Sequence, residues 1–219
     1  MRKIVAGLFL LAGVAMSSIA SAAVINGKIY NFDGDGDGRA NDLKISRITF
    51  DVTAGTYVFF DSLVRESTGV DLNGDGFITG FDSYMMLFDA SGNTLFIADD
   101  TTGSIGRADG SVDFFDAARG YTFYTAGTYM ITIGQGTYFA HEALQGYEKN
   151  RPYDRFIGDQ NWGAWRLTMT AEDGRISNIR EIGVTPDAGT DVPEPASLLL
   201  LGAGLAGFAA SRRKARQVA

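Results

Sequence analysis

The chain has 219 residues, with 28 glycines, 4 prolines, 12% aromatic residues, no cysteine and a formal net charge of −7. These values exclude a disulfide framework, a nucleic-acid footprint and low-complexity disorder. They suit one main domain, rich in turns and β structure.

The first residues, MRKIVAGLFLLAGVAMSSIASAAV, predict a secretory signal peptide over residues 1–22. Arg2 and Lys3 form its positive start, Ile4 to Met16 its apolar core, and Ala20-Ser21-Ala22 the small-residue site of a signal peptidase, with cleavage after Ala22. A first transmembrane helix is the competing reading. The short core and the A-x-A site directly behind it speak against that. Taking away Arg2 and Lys3 here, and Arg212, Arg213, Lys214 and Arg216 at the other end, removes no acid. Residues 23–195 are therefore more acidic than the chain as a whole, which favours solubility or metal cations as partners.

Two acidic loops lie early in the body. DGDGDGRANDL, residues 33–43, alternates Asp33, Asp35 and Asp37, with Gly38 behind them. Its twelfth position is Lys44, which cannot ligate, so Asn41 or Asp42 would have to complete a shell. DLNGDGFITGFD, residues 71–82, fits a calcium loop better, with Asp71, Asn73, Asp75 and Gly76 in the D-x-[DN]-x-[DN]-G pattern. Phe77 would add its carbonyl, Thr79 would hold a water, and Asp82 stands at the twelfth position. Alternating carboxylates and amides can turn inward onto one ion, and the glycine permits the sharp bend. The plainer alternative for both is a solvated turn, since Asp, Asn and Gly favour turns without any metal. The 71–82 loop resembles dockerin-type calcium loops, which carry Asp at the twelfth position but lead into a helix. Here the chain runs into the strand-like FDSYMMLFD, so Asp82 is open to either role.

Short alternating runs fill the rest of the body. LKISRITFDV places Ile45, Arg47, Thr49 and Asp51 on one face, and Ser46, Ile48, Phe50 and Val52 mostly on the other. TYVFFDSL, FDSYMMLFDA, TLFIADD, GYTFYTAGTYMITIGQG, GAWRLTMTAEDG and RISNIREIGV follow, bounded by Gly, Asn or Asp, as strands joined by hairpins would be. Thr53-Ala54-Gly55-Thr56-Tyr57 recurs as Thr125-Ala126-Gly127-Thr128-Tyr129, each copy between two such runs. The expected fold is all-β, an antiparallel two-sheet sandwich of jelly-roll type over residues 23–183. A signal helix would precede it and a transmembrane helix would follow. GFDSYMMLFDASGNTLFIADD and FYTAGTYMITIGQG resemble the bacterial prepeptidase C-terminal-like β-sandwiches, in particular the secreted DVUA-type proteins. That resemblance covers residues 44–135 and, loosely, 163–171, and implies a fold more than an activity. Residues 136–162 look like an elaborated loop with room for a short helix.

Catalytic signals are sparse. His141 is the only histidine and has no nucleophile motif near it. One histidine without cysteine does not make a zinc site. Asp99-Asp100 is an acid pair that a glycoside hydrolase could use, and equally a strand end. Trp162 and Trp165, with Tyr147 and Tyr153 before them, suggest a sugar platform. Three residues apart on a strand, however, the two tryptophans face opposite ways.

The tail begins with a linker over 184–195, stiffened by proline. Val192-Pro193-Glu194-Pro195 is followed by an apolar run, 196–211, short for a full span of the bilayer. Arg212, Arg213 and Lys214 would then stay cytoplasmic. Residues 192–216 resemble the PEP-CTERM sorting signal. The resemblance implies an exporting, exopolysaccharide-producing bacterium, transit through the inner membrane, and processing by an exosortase. The whole chain is then expected to be a secreted or surface non-enzymatic sandwich stabilised by structural Ca2+. Signal peptidase and exosortase are its expected partners. A carbohydrate-binding matrix module using exposed aromatics on exopolysaccharide is the alternative, and a hydrolase the weaker one.

Overall fold

The structure is a computed structural model that describes residues 21–101, 113–171 and 175–183. The predicted signal core, the linker, the apolar run 196–211 and the basic cluster lie outside these residues. Among the described residues no helix is long and apolar enough to cross a membrane.

The strands are β1 (Ser21–Phe32), β2 (Asp42–Lys44), β3 (Ser46–Val52), β4 (Thr56–Leu63), β5 (Ser83–Phe88), β6 (Thr94–Ala98), β7 (Ala118–Phe123), β8 (Gly127–Gln135), β9 (Tyr147–Glu148), β10 (Trp162–Ala171) and β11 (Ile176–Ile182). A short helix, α1 (Ala140–Gln145), follows β8. Two antiparallel sheets result, in the orders β7-β4-β10-β1-β2-β9 and β11-β3-β8-β5-β6. Strand period sets what each face buries. In β3, Ser46, Ile48, Phe50 and Val52 are buried while Arg47, Thr49 and Asp51 are half-buried, as the alternation predicts.

The core lies between the sheets. Ile29, Phe60, Leu167 and Met169 of the first meet Ile48, Phe50, Met85, Leu87, Ile131 and Ile133 of the second. Phe50 contacts Phe60 across the gap, ring centroids 5.6 Å apart, and Phe123 at 5.7 Å. Each such side chain gains roughly 1.5–3 kcal/mol on burial, so stability without disulfides rests on this layer. A second cluster covers the back of β5, where Tyr84, Met86 and Phe88 pack under Tyr138 and Ala143. That is why all of β5 is buried.

Two expectations change. The repeated Thr-Ala-Gly-Thr-Tyr segments are not hairpins. Each carries the chain from one sheet to the other, β3 to β4 and β7 to β8. Gly55 takes the left-handed backbone, φ +79°, that the first of these corners requires. Among the described residues, consecutive strands pair only at β1–β2 and β5–β6. Within residues 136–162, α1 is the short helix the sequence left room for, but β9 was not expected and adds an edge to the first sheet through β2. The predicted cleavage point falls inside β1, whose Ala22 pairs with Thr170 and Ala23 with Met169.

Candidate metal loops

The 71–82 loop connects β4 to β5 and is held by its own carboxylates. Asp71 Oδ1 accepts the N–H groups of Gly74 (2.7 Å) and Asp75 (3.2 Å), and Oδ2 that of Gly76 (2.8 Å). Asn73 Oδ1 accepts from the Asp75 N–H, and Asp75 Oδ1 from that of Phe77. Gly74 and Gly76 sit at φ +79° and +87°, a bend that other residues resist. Asp75 Oδ2 is buried and has no hydrogen-bond partner. A carboxylate oxygen has lone pairs for an ion beside an N–H, so the donor set of Asp71, Asn73, Asp75 and the Phe77 carbonyl suits a hard cation such as calcium.

The predicted outer positions behave otherwise. Thr79 is fully buried, and its Oγ1 accepts from the Ala164 N–H at 3.1 Å, which ties the loop to β10. Asp82, just before β5, stands with Asp99 and Asp100 beyond β6, their carboxylates within 4.8 Å of one another. Burial first, then repulsion from Asp100 and Asp99, pushes the Asp82 carboxyl up to about 6 against the pull of Arg65. Glu66, a residue that sequence spacing did not single out, also holds the loop. It is fully buried, and its carboxylate accepts N–H groups from Leu72, Asn73 and Thr79. The only advance signal was an acid shortly before the loop.

In the 33–43 loop the carboxylates of Asp33, Asp35 and Asp37 also come within 4.8 Å of one another. Asp33 accepts from the Gly38 N–H, Asp35 from Asp37 and Asp37 from Arg39. Asp42 does not complete a shell there. It is fully buried, with Oδ2 taking the N–H groups of Gly34 and Asp35 and Oδ1 that of Asn150. Asn41 donates through Nδ2 to Asn150 Oδ1 at 2.7 Å, while its Oδ1, the atom that could ligate, is buried without a hydrogen-bond partner. The Lys149 ammonium pairs with Asp35 Oδ2, and this contact holds the Asp35 carboxyl below its usual range. Lys44 turns away to Glu181 at 2.8 Å.

The two tryptophans separate as strand parity requires. Trp165 is 1% exposed and its Nε1 donates to Ser46 Oγ at 3.0 Å, so it is a core residue and not a sugar contact. Trp162 is half-buried on the outer face. Lys28 Nζ lies 3.6 Å from its ring centroid, and Phe77 of the acidic loop packs edge-on at 5.1 Å. Its ring is thus engaged in seating the 71–82 loop. Tyr153 is half-buried against the core, while Tyr147 packs edge-on against Phe32 at 6.0 Å. His141 is exposed on α1, stacked on Phe139 at 5.9 Å.

No curated protein matches this sequence. Among solved structures, the chain is similar to the Aeromonas hydrophila protein PliG, a periplasmic lysozyme inhibitor of g-type lysozyme. The identity is 12%, the match covers 69% of this chain and 87% of that one, and the TM-score is 0.34. A family model described as the PEP-CTERM protein-sorting motif matches residues 191–214, the stretch holding Val192-Pro193-Glu194-Pro195 and the basic cluster. By that motif the chain is marked for export, for C-terminal anchoring in the membrane, and for recognition by an exosortase.

Proposed function

We propose that this protein is a non-enzymatic β-sandwich of the prepeptidase C-terminal-like kind, released to the cell surface or extracellular matrix of an exopolysaccharide-producing bacterium. Structural calcium stiffens its acidic loops. The observation carrying the calcium reading is the 71–77 loop, where three side chains alternate inward and Asp75 Oδ2 is buried without a partner. Calcium there would supply the positive charge that a buried, unpaired carboxylate oxygen needs. The chain's own residues set the geometry. Asp71 folds the turn with both oxygens, Gly74 and Gly76 supply the bend, and Asp75 presents the free oxygen. Extracellular calcium modules bind at ~10⁻⁴–10⁻³ M, within reach of ambient calcium outside the cell.

The non-enzymatic reading is supported by the lone histidine, exposed and stacked on Phe139. Isothermal titration of the exported protein with calcium tests the ion reading. Heat of binding is expected in the wild type, weakened tenfold or more by Asp75→Ala. Equal binding by both proteins would remove the 71–77 site, and no binding by the wild type would remove the ion.

A further inference from the structure

We infer that Glu66 is a positioning residue that holds the 71–79 loop in its ion-ready shape before any ion arrives. The inference rests on the calcium reading for its purpose but not for its geometry. Glu66 follows β4 by a few residues and is fully buried. A buried carboxylate is costly unless donors surround it. Here Oε1 accepts the N–H groups of Leu72 at 2.7 Å and Asn73 at 3.1 Å, and Oε2 accepts that of Thr79 at 2.9 Å. The donors come from both ends of the loop, so one side chain ties its entry to its exit. The Glu66 N–H also donates to the Thr79 carbonyl at 3.1 Å, which closes the same gap through the backbone.

The loop is seated from below as well. Arg166 Nη1 donates to the Leu72 carbonyl at 3.1 Å, and the Phe77 ring rests on Trp162. These contacts leave Asp75 Oδ2 without a partner. Ordering a flexible loop costs conformational entropy, and a loop already closed spares an ion that cost. The second acidic loop repeats the device. Asp42, also fully buried and outside the alternating triplet, takes the N–H groups of Gly34, Asp35 and Asn150.

Amide hydrogen exchange on the chelator-treated, exported protein tests the inference in Glu66→Gln against wild type, with calcium titration alongside. Leu72, Asn73 and Thr79 are expected to be protected without calcium in the wild type. In E66Q they are expected to lose about tenfold or more of that protection while amides in β8 keep theirs. Calcium affinity should fall by a similar factor, with Glu66→Asp in between. Unchanged exchange at the three amides in E66Q overturns the inference whatever the ion does. Lost protection in E66Q together with no calcium binding by the wild type upholds the clamp and refutes the calcium reading. Should E66Q not fold, the calcium-free wild type decides: fast exchange at all three amides overturns the inference, and slow exchange upholds it.

Discussion

Gly27 shows how one position can serve the whole sandwich. It lies opposite Trp165 in the β1–β10 register, and a Cβ placed there would run into the six-membered ring of that tryptophan. The ring is fixed from the other side by the Nε1 bond to Ser46 in the facing sheet. It therefore cannot swing away without breaking a buried hydrogen bond. Gly27→Ala is expected to destabilise the fold by about 1–3 kcal/mol, the usual penalty for overpacking. Urea denaturation measures it, and an unchanged midpoint would show that the ring has room to yield. The spacing of Trp162 and Trp165 already placed them on opposite faces. Which of the two was buried was not legible, because the deciding partners, Gly27 and Ser46, are more than a hundred residues away in sequence.

The two acidic loops share a plan and differ in one cation. Lys149 approaches Asp35 from the chain that follows β9, where an ion would otherwise neutralise the triplet. Lys149→Met is expected to tighten calcium binding at the 33–37 loop and to leave the 71–77 loop unchanged. Terbium luminescence titrations on the Asp75→Ala background would separate the two, and equal affinity with and without Lys149 would show that the ammonium does not compete. The alternating triplets were legible because their signal is local. Glu66 and Lys149 were not, and Asp42 was legible as an acid of the loop but not as its clamp, since each acts on backbone or side chains brought near by folding.

Buried carboxylates also set a pH response. Burial pushes Glu148, 4% exposed, up to about 7 although Arg151 at 2.6 Å opposes it, and Asp82 is pushed up to about 6. Both groups hold a proton more tightly folded than unfolded. Their contribution is therefore full below the ordinary carboxylate values of about 4 and is lost as pH rises to 6 and 7. Calcium-free protein is expected to be more stable at pH 5 than at pH 8, by on the order of 1 kcal/mol after solvent screening. Glu148→Gln should flatten part of that slope in denaturation midpoints taken across the range. A midpoint that rises steadily with pH would contradict the assignment.

Across the whole molecule, most strands and the two-sheet class follow from alternation and glycine-bounded runs, and β3 matches its predicted faces side chain by side chain. The connections were harder to see. Both Thr-Ala-Gly-Thr-Tyr corners look locally like hairpins, and only the pairing of β3 with β8 and of β4 with β7 shows that each corner changes sheet. The sorting segment was legible for the opposite reason, since its signal is linear and needs no fold. Replacing Pro193-Glu194-Pro195 with alanines is expected to leave an unprocessed, membrane-bound species on cell fractionation, while processing as in the wild type would separate this motif from exosortase handling. The central claim joins the exported sandwich to calcium, and thermal unfolding of the exported protein in calcium and in chelator tests it most directly. At a hundredfold excess over the dissociation constant, an ion bound only by the folded state adds about 2.7 kcal/mol, a rise in Tm of roughly 5–10 °C for a domain of this size. A calcium-dependent rise that shrinks in Asp75→Ala is the expected result, and one unchanged Tm in calcium and in chelator would contradict it.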